Sequence, residues 1–225
     1  MTLNKIPLPL LAGLLTVALP LHGDLLLTYT EFENNEGGQI TTPTTAAPGI
    51  IGSEIGLTDG NLTTGEFNAA DWSSPLPYLQ GGSGWDETDP AGAKAFTFGM
   101  EAEPGEVFSL VEFRFEDRAT GAGPSAMGVW INGTQVFARH VADSENEVNA
   151  IDLAGFSLDA LTEAEFVVAG WDDGSRDTSG GGQWRTAGYE VRGAVAPIPE
   201  PSTWALLTGL ACLAGTLAHR RRRNR

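Results

Sequence analysis

The stretch VWINGTQVFARHV, residues 129–141, decides the fold class. Asn132-Gly133 sits between two runs rich in β-branched and aromatic residues. Both turn residues tolerate positive φ, so a hairpin closed by a two-residue type I′ turn is predicted. Working outward, residues 107–116 alternate, with Val107, Val111, Phe113 and Phe115 on one face and Glu112, Arg114 and Glu116 on the other. Residues 184–195 alternate again, Ala187, Tyr189, Val191 and Val195 against Thr186, Glu190 and Arg192. Further strands are predicted over 25–32, 94–98, 148–153 and 165–171, and only 157–164 reads as helical. Residues 34–60 are rich in Gly, Pro and Thr and read as surface loop with short edge strands; 41–45 has linker chemistry, and 80–84 reads as loop. Many short strands separated by Gly-rich turns predict an all-β protein: one two-sheet β-sandwich, jelly-roll-like, without internal repeats.

The two ends read differently. Residues 1–23 carry one positive charge, Lys5, before an apolar run broken by Pro7, Pro9 and Pro20, the pattern of a secretory signal peptide cut near Gly23. Residues 197–225 contain Pro199-Glu200-Pro201, then an uncharged stretch over 202–218, then Arg220, Arg221, Arg222 and Arg223. Seventeen uncharged residues are the short end of what spans a ~30 Å hydrocarbon core. The arginine cluster, 220–225, would stay cytoplasmic. Between the ends lies one exported domain, 24–196.

The order motif, apolar helix, arginine cluster resembles the PEP-CTERM sorting signal. That resemblance implies recognition by an exosortase, transient membrane insertion, cleavage near the motif, and delivery to the cell surface or extracellular matrix. The same tail is also labelled an ice-binding-protein C-terminal domain, which implies nothing about ice by itself. A second resemblance covers about residues 95–195. Phe115-Glu116-Asp117-Arg118-Ala119-Thr120-Gly121-Ala122-Gly123-Pro124, Asp152-Leu153-Ala154-Gly155-Phe156 and Gly182-Gln183-Trp184-Arg185 are similar to the β-sandwich of planctomycete and verrucomicrobial PEP-CTERM proteins. Those proteins commonly follow Trp-Arg with an apolar residue and Asp-Asn; here Thr186-Ala187-Gly188 stand instead, so no site is carried over.

Composition limits the chemistry. Residues 24–196 hold 28 acidic and seven basic side chains, a balance near −21. Such a surface repels nucleic acid and anionic membranes. The sole cysteine, Cys212, lies in the tail, so the exported domain has neither disulfide nor thiolate chemistry. It holds one histidine, His140, which any Ser-His-Asp machine would have to use and which reads as structural on its strand. One His among scattered carboxylates does not make a zinc site. Calcium is the better metal expectation. Asp172, Asp173 and Asp177 flank Gly174, and Asp86, Glu87 and Asp89 cluster before Pro90, without EF-hand spacing. The same aspartates also suit ordinary turns.

Trp85-Asp86 and Trp171-Asp172 place a ring beside carboxylate acceptors in Gly-rich loops, the pairing a sugar-binding cleft uses, although for each tryptophan taken singly the core reading leads. Trp130, beside the hairpin turn, reads as packing. Three functions stay open. The leading one is a non-catalytic structural or adhesive surface protein, set among exopolysaccharide. The others are a calcium-assisted carbohydrate-binding module and a secreted glycan hydrolase.

Overall fold

The computed structural model describes residues 23–30, 32, 34–35, 38–39, 42–58, 62–66, 77–81, 85, 87–178 and 182–198. The expected signal peptide up to residue 22, the expected sorting motif Pro199-Glu200-Pro201, the apolar tail and its arginines lie outside the described residues, as do Trp72 and Asp86. Among the described residues there is no helix long and apolar enough to cross a membrane.

Among the described residues fifteen strands follow in order. The first eight are β1 (Asp24–Tyr29), β2 (Asn34–Asn35), β3 (Gly38–Gln39), β4 (Thr45–Ala46), β5 (Ile50–Gly52), β6 (Gly56–Leu57), β7 (Leu62–Glu66) and β8 (Pro77–Gly81). The long strands come after: β9 (Lys94–Ala102), β10 (Glu106–Thr120), β11 (Ala126–Ile131), β12 (Thr134–His140), β13 (Glu147–Asp152), β14 (Glu163–Trp171) and β15 (Gln183–Pro197). A seven-stranded sheet runs β13-β10-β15-β1-β4, with β8 also on β15 and β7 on β8. A six-stranded sheet runs β12-β11-β14-β9-β5, with β6 also on β9. Neighbours within both sheets are antiparallel, and the two sheets share one core, as the expected β-sandwich requires.

The hairpin forms as its dipeptide dictates: Asn132 and Gly133 have φ of 50° and 75°, and Ile131 pairs with Thr134. Side chains of alternate residues then meet between the sheets. Phe113, Phe115, Tyr189 and Val191 come from one, Phe98, Val129, Phe166 and Val168 from the other, all buried. Phe98 stacks on Phe166 with centroids 4.6 Å apart, and Phe115 on Tyr189 at 5.5 Å. Burial pushes the Tyr29 and Tyr189 hydroxyls above their usual range.

Several expectations are corrected. A bulge between Leu110 and Glu112 changes the phase of β10, so Phe108 and Leu110 enter the core while Val107 and Val111 do not. Near the irregularity around Gly188 (φ 62°), Thr186 is buried and accepts a hydrogen bond from the Tyr189 hydroxyl at 2.7 Å. The 157–164 stretch is not helical: Ser157 and Ala160 have φ of 54° and 53°, and β14 begins at Glu163. The supposed linker is stitched to β1, with Thr44 N–H donating to Thr28 O at 2.8 Å and the Thr28 and Thr45 hydroxyls 2.7 Å apart.

One polar cluster enters the core. Asp117, on β10, is 1% exposed. Its carboxylate accepts from Arg139 of β12, from Asn149 Nδ2 of β13 at 2.7 Å and from Trp184 Nε1 of β15 at 2.9 Å. A buried carboxylate is tolerable only when paired and hydrogen-bonded, and this one has a partner in both sheets.

Candidate functional site

The exposed side of the six-stranded sheet carries the distinctive residues. Because Met127, Val129 and Ile131 point inward, Ala126, Gly128 and Trp130 point out. On β14, Phe166 and Val168 point inward, leaving Val167, Ala169 and Trp171 outside. Trp130 stands opposite Val167, and Trp171 opposite Ala126. Both indoles are half-buried, with centroids 6.1 Å apart and planes inclined at 60°. They form a corner over a floor of small residues. A Cβ on Gly128 would come within 2.7 Å of Trp130 Cη2, so the glycine lets the indole lie down on its own strand.

Beyond Trp171 the chain turns sharply. Asp172 Oδ1 accepts from Gly174 N–H at 2.8 Å, and Asp173 Oδ1 from Ser175 N–H at 2.9 Å. The buried Ser125 hydroxyl lies 3.0 Å from Asp172 Oδ1 and 2.8 Å from Asp173 Oδ1, while accepting from Asp173 N–H at 2.9 Å. These bonds to the charged form lower the Asp172 carboxyl, led by the Gly174 amide. For Asp173, desolvation pushes upward, but Ser175, Ser125 and the His140 charge outweigh it and bring the group down to about 2. His140 Nδ1 lies 2.5 Å from Asp173 Oδ2, with its side chain 82% exposed.

His140, read from the sequence as structural, is an exposed partner of the loop. Ser125, Asp173 and His140 are adjacent, yet in the wrong order for nucleophilic catalysis. The carboxylate stands between hydroxyl and imidazole, whereas a serine nucleophile needs the imidazole itself to take its proton.

The calcium expectation meets a different arrangement. Among the described residues no group of three or more His, Cys, Asp or Glu side chains is gathered as a metal would require, so Asp172, Asp173 and Asp177 are not brought together that way. Glu87 and Asp89 likewise serve turns, accepting from the amides of Thr88 and Asp89, and of Ala91.

Of the two predicted ring–carboxylate pairs, one is corrected. Trp85 is fully buried, packs edge-on against Trp184 at 5.4 Å and has Lys94 Nζ 5.5 Å over its ring. Its faces are closed to any ligand. Trp171 and Asp172 do meet at the exposed face. Sequence reasoning missed Trp130. Its signal was the period-two pattern, since it lies between inward Val129 and Ile131.

No family model matches this chain, and neither does any curated protein. Solved structures give distant matches. The carbohydrate-binding module CBM36 in complex with calcium and xylotriose has 14% identity and a TM-score of 0.33, covering 64% of this chain and 98% of that one. TmCBM61 in complex with beta-1,4-galactotriose has 10% identity and a TM-score of 0.34, covering 63% of this chain and 88% of that one. The acetyl xylan esterase Est2A from the rumen bacterium Butyrivibrio proteoclasticus has 10% identity and a TM-score of 0.28, covering 64% of this chain but 35% of the enzyme. At these scores the likeness carries neither residue nor ligand over to this chain.

Proposed function

We propose that this is an exported bacterial surface or extracellular-matrix protein whose sandwich, jelly-roll-like in its repeated crossings between sheets, binds carbohydrate without cleaving it. The observation that carries the binding reading is the Trp130–Trp171 corner, two half-exposed indoles over a floor of small residues. An aromatic face stacks on the apolar face of a sugar ring, and nearby acceptors hold its hydroxyls. The binding is non-catalytic, in keeping with the Ser125–Asp173–His140 order, and no carboxylate cluster gathered among the described residues calls for calcium.

The test is retention of the full-length chain in polysaccharide-containing gels, with and without a calcium chelator. Retention is expected to survive chelation and to be lost in Trp130→Ala and Trp171→Ala with thermal unfolding little changed. Retention unaffected by both substitutions would remove the reading.

The route to the surface is the second part of the proposal, supported by the order of features in the sequence. Residues 1–23 direct export, Pro199-Glu200-Pro201 is read by an exosortase, residues 202–218 cross the membrane transiently, and Arg220, Arg221, Arg222 and Arg223 hold the cytoplasmic side. Exopolysaccharide is then the natural partner. Altering Pro199-Glu200-Pro201 should abolish surface display; a mature product that keeps its arginines would exclude processing.

A further inference from the structure

The hairpin end of the same exposed face holds a groove of about 280 Å³, lined by Gly99, Glu101, Asn132, Glu163 and Glu165 among others. Trp130 lies opposite Val167 with its indole over Gly128, which faces Ala169, and Glu163 is six residues further along β14, about 20 Å away at ~3.3 Å per residue. Tryptophan corner and groove thus lie along one strand. The groove wall is pinned: Asn132 Oδ1 accepts from Glu165 N–H at 2.8 Å, and Asn132 Nδ2 donates to Glu163 O at 3.4 Å.

The charges around it are arranged at a cost. Glu101 and Glu163 stand directly opposite each other across β9 and β14, and Glu165 is opposite Gly99. Like charges facing each other in an antiparallel pair are destabilising. Among the described ion pairs none reaches these three carboxylates. A lysine at any of the three positions would relieve the repulsion. Its absence leaves a pinned groove that no described ion pair compensates, in line with an aromatic corner.

We propose that this groove is a second subsite of the carbohydrate face and sets which glycan binds: a linear chain stacked on Trp130 runs along β14 into it, and a chain carrying acidic groups is turned away. The inference rests on the carbohydrate reading of the tryptophan corner. Carboxylates accept hydrogen bonds from sugar hydroxyls, and their field opposes a uronate in the same place.

The test is calorimetric titration of the full-length chain with neutral β-1,4-linked gluco-, xylo- and manno-oligosaccharides, from disaccharide to hexasaccharide, and with oligogalacturonates of the same lengths. In the neutral series that binds, affinity should rise about tenfold from the shortest to the longest, the worth of one or two added polar contacts. Oligogalacturonate should bind at least about tenfold more weakly at low salt, and the gap should narrow as salt screens the field. The triple variant Glu101→Gln, Glu163→Gln, Glu165→Gln should close that gap. Gly99→Val, which fills the groove, should abolish the gain with length; a Cβ there meets the Ser53 hydroxyl at 3.5 Å, an ordinary contact. Affinity independent of length, or discrimination unchanged in the triple variant, overturns the subsite. Loss of all binding in Trp130→Ala, together with either of those results, leaves the corner standing and removes only the groove. Binding that Trp130→Ala does not affect, or none at all, removes both.

Discussion

On the seven-stranded sheet Glu112 stands opposite Arg192 and Arg114 opposite Glu190; on the six-stranded sheet Glu101 stands opposite Glu163. At these positions the first face answers a charge with its opposite, although elsewhere on the same sheet Glu112 also faces Asp152 and Arg118 faces Arg185. Arg192 Nη2 lies 3.0 Å from Glu190 Oε2, and Arg192 Nε 3.9 Å from Glu112 Oε1. The second replaces paired charges with two inclined indoles, small residues beneath them and carboxylates set against each other. Both faces grow from the same alternating strands over the same core, so the difference is not a requirement of folding. The proposed binding corner lies on the six-stranded side alone.

The most severe way to break the comparison is to remove what the faces share. Asp117→Ala strips a buried carboxylate from Arg139, Asn149 and Trp184, and should cost about 3–5 kcal/mol because it leaves the Asn149 and Trp184 donors without their buried acceptor and Arg139 with only Glu147 as a charged partner. Chemical denaturation would measure it, and retention on glycan would fall with the fold. Next comes the corner itself. Trp130→Ala and Trp171→Ala should each weaken glycan binding by about 2 kcal/mol, the scale of a buried aromatic anchor, and leave the opposite sheet untouched. Equal losses from substitutions on the charge-paired face would erase the distinction.

A third, smaller effect is pH. Asp173 titrates near 2 in the folded chain, below its usual value of roughly 3.9. Its contribution to stability is therefore complete above the unfolded value and disappears as pH falls toward 2. Tryptophan fluorescence should report loosening beside Trp171 in that window, and Asp173→Asn should abolish the transition. Smallest of all is Arg192→Ala. This arginine is 38% exposed, where solvent screens ion pairs, so a loss under about 1 kcal/mol and no change in binding are expected.

Much of this architecture was legible in the sequence because local chemistry dictated it. Asn132-Gly133 admits positive φ, and the strands around it follow. The motif residues Asp117 and Trp184 proved to be hydrogen-bonded partners across 67 positions, a contact that no local pattern specifies. What stayed hidden depends on how strands meet. The bulge at Leu110 and Glu112 leaves no compositional mark, yet it decides whether Val107 or Phe108 faces the core. Trp85 lies in a glycine-rich segment that reads as exposed, and only packing against Trp184 and Lys94 closes it in. Trp171 stands out in the sequence because an aspartate follows it; Trp130 is overshadowed by its neighbour, the turn.

The clasp at Asp117 has a consequence of its own. Many sandwiches of this kind are riveted across their layers by sulfur, which must be oxidised and sometimes reshuffled before the rivet holds. Here a carboxylate, a guanidinium, an amide and an indole close the same gap and need no oxidant, only correct apposition. A chain so fastened can be threaded, released and refolded in a reducing or an oxidising milieu alike, and strong reductant should leave its melting curve where it was.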